Sequence, residues 1–190
     1  METLAPAGTP QALDRAIAAG ATAVYLGCSA FSARAGAGNF DENQLREAVA
    51  FAHLHHVRVH VTVNTLIKDS EMEEVKALLR LLNELRVDAV LVQDLGVVRM
   101  ARACFPDLPI HASTQMAIHN ASGAAWCARM GMTRAVLARE CSADEIALAA
   151  HLPADKAAVL VALNIADELM RAHDENSRLR REIMVLRQER

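Results

Sequence analysis

The chain has 190 residues, 53% of them hydrophobic but only 3% aromatic, so a core must be built mainly from Ala, Val and Leu. The formal charge is −3 with histidine neutral, which excludes a generally basic nucleic-acid-binding surface while leaving a local basic groove open. No run of about 18 apolar residues is present to span a membrane, and Met1 to Pro10 lacks a basic segment followed by an apolar one, so the expected location is cytoplasmic.

Short β-branched runs alternate with helix-like segments. Glu2 to Ala5 reads as a first strand. Thr9 caps a helix that carries Pro10 at its first position and ends at Gly20. A second strand, Ala23 to Leu26, stops at Gly27. The glycine-bearing loop Ser32 to Asn39 leads to Asp41, an N-cap for a helix reaching about His55. The third strand, Val57 to Asn64, shows the clearest alternation. Val57, Val59, Val61 and Val63 share one face, and Arg58, His60, Thr62 and Asn64 the other. Asp69 or Ser70 is expected to cap a helix with Leu78, Leu79, Leu82 and Leu85 at helical spacing. Ala89 to Gln93 reads as a strand, followed by a helix to about Cys104 that Pro106 closes. Pro109 to Ser113 is a fifth strand, Asn120 to Met130 its helix, and Ala135 to Ala138 a sixth strand. Ser142 then caps a short helix, Ala143 to Ala150.

Strand–helix units in series imply a parallel sheet covered by helices, either an open doubly wound sheet or a (β/α)8 barrel. The doubly wound fold carries a glycine-rich phosphate turn after its first strand, and Pro6-Ala7-Gly8-Thr9 is not one. A complete barrel takes about 250 residues and eight units. The expectation is therefore an incomplete, TIM-barrel-like α/β fold of six units over residues 1–152, whose strand edges invite association. A long C-terminal coiled-coil helix over 153–190 is expected to follow.

In either architecture function sits at the carboxyl ends of the strands. Asn64-Thr65, Gln93-Asp94, Ser113-Thr114-Gln115 and Arg139-Glu140 occupy those ends. Asp94 and Glu140 are candidate acids or bases, and Arg139 a holder of an anion. Asn64 and Gln115 are candidate substrate-binding groups, joined by Arg34 and Asn39 from the second loop, which Gly36 and Gly38 allow to bend. The competing reading is that polar residues at strand ends cap helices and make turns. His53, His55 and His56 lack the i, i+4 spacing of a helical metal site and suit a helix C-terminus. His60 and His111 read as core histidines. Cys28 and Cys141 follow strand ends but have no close partners, and with Cys104 and Cys127 they read as free thiols. No metal site is expected.

The phrases LAPAG (Leu4 to Gly8), AVYLG (Ala23 to Gly27), RAGAGNF (Arg34 to Phe40), VTVNT (Val61 to Thr65), VQDLGV (Val92 to Val97), HASTQM (His111 to Met116) and VLARE (Val136 to Glu140) occur in order. Together, over about residues 2–150, they resemble the N-terminal barrel of peptidase family U32, the collagenase-like proteases. The resemblance implies a (β/α)8-type barrel and a hydrolase label. It also implies kinship with proteins of RNA base hydroxylation and quinone-precursor hydroxylation that use an iron–sulfur cluster, so peptide and RNA are both candidate substrates. The family's cysteine segment, Gly-x-x-Cys followed by Gly-x-Cys, has no counterpart here. The expectation is thus no cofactor in this chain and doubtful catalysis.

Beyond Pro153, Ala162, Leu169, Asn176 and Ile183 recur every seven residues, as do Ile165, Ala172, Leu179 and Leu186. This is an a/d seam with Asn176 at an a position. Glu175 with Arg180 and Glu182 with Arg187 suit a parallel homodimer through residues 157–190. Ala157 to Ile183 resembles the C-terminal helix of the ZapA cell-division proteins, which implies an alternative role as an interaction protein. The ZapA head that engages FtsZ is missing, so FtsZ binding is not expected.

Overall fold

The computed structural model describes residues 2–33, 39–142 and 144–146, together with the backbone of 159–160. The described residues lie within one compact unit, Met1–Leu160.

Seven strands form one sheet: β1 (Leu4–Pro6), β2 (Ala23–Gly27), β3 (Arg58–Val63), β4 (Ala89–Val92), β5 (Ile110–Ala112), β6 (Arg134–Val136) and β7 (Val159–Leu160). Their spatial order is their sequence order, and every neighbouring pair is parallel. A doubly wound sheet reverses its strand order at a switch point. This sheet never does, so it has the winding of a barrel. Helices fill the first five crossovers: α1 (Pro10–Ala18), α2 (Glu42–Leu54), α3 (Met72–Glu84), α4 (Leu95–Cys104) and α5 (Ala121–Arg129); after β6, residues 144–146 are helical.

Register divides the strand residues into two faces, because partners in a parallel pair point the same way. Val24, Leu26, Val59, Val61, Val63, Val90, Val92, Ile110 and Ala112 form the outer face and are buried. The helices cover them with Leu45, Ala48, Val49 and Ala52 of α2 and Val75, Leu79 and Leu82 of α3, spaced at the helical period. The inner face carries Tyr25, Arg58, His60, Thr62, Leu91, His111 and Arg134.

The sheet is curled into a half-barrel. β1 and β6 are five strands apart, about 24 Å if the sheet were flat. Yet Glu2, just before β1, places its carboxylate 2.6 Å from the guanidinium of Arg134 on β6.

Local capping follows the expected chemistry. Thr9, Asp41, Asp94 and Asn120 each accept a backbone N–H of the following helix, and Gly20 and Gly131 end α1 and α5 with positive φ. Two expectations fail. Asp69 does not cap α3: Asp69–Glu71 is a 3-10 turn, and α3 begins at Met72. The Glu71 side chain accepts the Lys68 N–H at 2.8 Å, which tightens the chain into that turn first. The second concerns the stretch read as the start of the tail helix. Val159–Leu160 is instead a strand, paired with Ala135 and Val136. A β-branched, apolar run beside an open strand edge gains ladder hydrogen bonds that a helix would not offer β6. The heptad seam and the expected dimer segment, beyond residue 160, lie outside the described residues.

Candidate active site at the carboxyl ends of the strands

Among the described residues, Asn64, Asp94, Gln115, Arg139 and Glu140 follow the ends of their strands, and parallel pairing delivers those carboxyl ends to the same rim. Two of them, Asn64 and Asp94, hold backbone there. Asn64, following β3, accepts the Ala33 N–H through Oδ1 at 3.0 Å and donates from Nδ2 to Ser113 Oγ at 3.2 Å. Its own N–H bonds the Phe31 carbonyl at 2.9 Å. Asn64 therefore ties the loop after β2 to β3 and to the end of β5. Ser113 Oγ in turn accepts the Gln115 N–H at 3.3 Å, so Asn64 and Gln115 meet through one hydroxyl. The Gln115 side chain is exposed.

Asp94 is likewise engaged. Oδ1 accepts the Val97 N–H at 3.1 Å as the cap of α4, and Oδ2 accepts the Ile67 N–H at 3.3 Å. One carboxylate thus fastens the loop after β3 to the start of α4. It also holds side by side the two segments that expose Leu66 and Leu95. Arg139 and Glu140 are exposed beyond β6. Asn39 is half-buried at the base of the second loop, and Arg34 lies outside the described residues. Gly27 is required where this loop closes over β2. A Cβ there would lie 2.5 Å from Ser32 Oγ and 2.8 Å from Asn39 Oδ1.

Below this rim the lumen is polar, and the histidines read as core residues face it. A TIM barrel normally fills its interior with branched apolar side chains. Here Ser32 and Thr62 share a 3.0 Å hydrogen bond near the top. In the middle the rings of His60 and His111 meet edge to face with centroids 4.9 Å apart. Both are buried. Burial pushes the His60 imidazole down to about 4, helped by Arg134 and Arg58 and opposed by Glu2 and Asp88. His111 is pushed down to about 3 by burial, then by His60, Arg134 and Arg58. Both rings are neutral at neutral pH. The alternation Arg58-His60-Thr62-Asn64 was the available signal, since it puts a whole polar face of β3 into the interior.

The other candidate features resolve as structure. His53 Nε2 meets Asp88 Oδ2 at 2.8 Å, and the same carboxylate oxygen accepts the Val59 N–H at 2.7 Å. Among the described residues no group of three or more His, Cys, Asp or Glu side chains is placed to hold a metal. The free thiols Cys28 and Cys127 are buried, and burial pushes Cys28 up to about 12. This donor set does not fit an iron–sulfur cluster, which needs several converging thiolates. A cavity of about 360 Å³ opens on the helix side of the sheet, between α2 and α3, over Cys28, Phe31, Phe40, Leu45, Leu78 and Leu81. None of the predicted site residues that are described lines it. No helix among the described residues is long and apolar enough to cross a membrane.

Comparison with known proteins agrees with this architecture. The solved structure of a U32 peptidase matches with a TM-score of 0.63 at 15% identity, covering 78% of this chain and 64% of that one. A 23S rRNA 5-hydroxycytidine synthase of Escherichia coli is 38% identical over 146 residues, which cover 77% of this chain and 22% of that protein. The tRNA hydroxylation protein P1 of Bacillus subtilis is 33% identical over 145 residues, covering 76% and 34% respectively. The chain thus spans about a fifth to a third of the length of these curated relatives. The model of peptidase family U32 matches residues 8–163, including the start of the stretch that resembled a ZapA helix and all of β7. The chain is a member of peptidase family U32.

Proposed function

We propose that the chain serves in the hydroxylation of an RNA base, as the half-barrel that supplies the substrate-facing rim of such a protein. One observation carries the reading. Among relatives about a third identical across the strand–helix region, several bear the names of rRNA and tRNA hydroxylation proteins, against one named an uncharacterized protease. In this reading Gln115, Arg139 and Glu140, exposed at the rim, face the RNA. Arg139 meets a phosphate, and Gln115 the edge of the base. Asn64 and Asp94 keep the rim loops in place. Peptide hydrolysis is the weaker reading, since the two rim carboxylate oxygens of Asp94 are occupied by backbone N–H groups and the buried thiols are held protonated.

The test is to express the full chain in a strain lacking its own 23S rRNA 5-hydroxycytidine synthase, and separately to graft residues 8–150 into that synthase. Nucleosides from rRNA and tRNA are then quantified by mass spectrometry. The expected result is hydroxylated nucleoside from the graft, reduced at least tenfold by Arg139→Ala. Unmodified RNA from a stably accumulating graft, with gelatin or peptide cleavage by the purified chain, would overturn the reading.

A further inference from the structure

We propose that Arg58 and Arg134 form a carboxylate-binding cradle at the amino end of the lumen, which the chain fills with its own Glu2 as an internal ligand that keeps the half-barrel curled. Arg134 donates to both oxygens of Glu2, at 2.6 and 3.4 Å, in the forked arrangement that suits a guanidinium and a carboxylate. Arg58 pairs with Oε2 from the opposite side. The three residues come from the segment before β1, from β3 and from β6. The carboxylate therefore links the segment before β1 to β3 and β6 across the lumen.

Three observations mark this as a binding site rather than a surface ion pair. The Glu2 side chain is only 7% exposed and that of Arg134 15%. Burial alone would raise the Glu2 carboxyl, but the Arg134 hydrogen bond and the charges of Arg134 and Arg58 outweigh it and hold the group below its usual range. Two guanidinium groups face one carboxylate, and although the Arg58 side chain is 49% exposed, removing Glu2 leaves the largely buried Arg134 guanidinium without its counter-charge. One layer above, His60 is almost wholly buried and its Nδ1 has no hydrogen-bond partner.

The cradle is tested by chemical rescue. Thermal melts of the full chain and of Glu2→Ala are compared at neutral pH in sodium formate and in sodium chloride of equal ionic strength. Glu2→Ala is expected to lower the melting temperature by about 6–12 °C in chloride. Formate should recover at least half of that loss while leaving the wild-type chain unchanged. Adding Arg134→Met to Glu2→Ala should abolish the formate response. Where Glu2→Ala does not fold, Glu2→Gln keeps the shape of the side chain, and the yield of refolded protein in formate against chloride gives the same comparison. Equal melts for wild type and variant, or a formate effect that survives Arg134→Met or appears equally in the wild type, would overturn the proposal.

Discussion

Asn64 shows how one side chain can resemble a ligand-binding group and be a structural tie. Its amide oxygen and nitrogen are both committed, to Ala33 and to Ser113. Asn64→Leu leaves those partners without it and should cost about 2–3 kcal/mol, measured as a shift in urea midpoint with unchanged slope. Asp94→Ala removes a helix cap together with the Ile67 tie and should cost about 1–2 kcal/mol, with Asp94→Asn recovering part of it. The buried histidine pair adds to the acid response that the lowered Glu2 carboxyl also feeds. Both folded-state values lie below the ordinary 6.5 of histidine, so the unfolded chain takes up protons first as pH falls. The stabilisation is complete above about pH 6.5 and declines as pH drops towards 4 and then 3, on the order of 1 kcal/mol per pH unit for each ring. His60→Phe together with His111→Leu should flatten this decline in melts recorded between pH 7 and pH 4. An undiminished slope would assign the acid sensitivity elsewhere. At this scale the identities of the rim residues were legible in the sequence. Their use was not, because the partners of Asn64 lie 31 and 49 residues away.

The elements were the most legible level. Strand and helix positions follow from apolar periodicity, and the caps Thr9 and Asp41 from short-range chemistry that a three-residue window contains; Asp94, read as a candidate acid or base, and Asn120, read as the start of its helix, are caps too. The displaced start of α3 came from an equally local competitor. Glu71 reaches back to the Lys68 N–H and makes a 3-10 turn where a cap was expected at Asp69. Helix faces read correctly too. Of the four leucines at helical spacing, Leu79 and Leu82 point fully inward. Leu82→Ala removes a side chain with no solvent exposure and should cost about 2–5 kcal/mol in equilibrium unfolding.

For the whole molecule, the decisive fact is the strand order. Monotonic, parallel winding makes one continuous sheet with its carboxyl ends on one rim. Among the described residues, β7 covers the ladder edge of β6 with Val159 and Leu160. A chain truncated after residue 152 loses that cover and should aggregate, whereas one ending at residue 163, where the family match ends, should give a discrete species with a cooperative melt. Size-exclusion chromatography with light scattering distinguishes them, and a monodisperse, cooperatively melting 1–152 chain would show that β7 is dispensable.

The sequence by itself determined the α/β class, the element positions, the outer valine face of β3 and the family, because each rests on local periodicity or on phrases of a few residues. Barrel winding, expected from the missing phosphate turn and the ordered family phrases, is what the strand order shows. Tertiary structure alone decided two things. It turned Asn64 and Asp94 into loop fasteners by bringing distant backbone N–H groups to their oxygens. And it put Glu2 between Arg58 and Arg134, because curling the sheet brings together residues 132 apart in the chain that no local pattern relates.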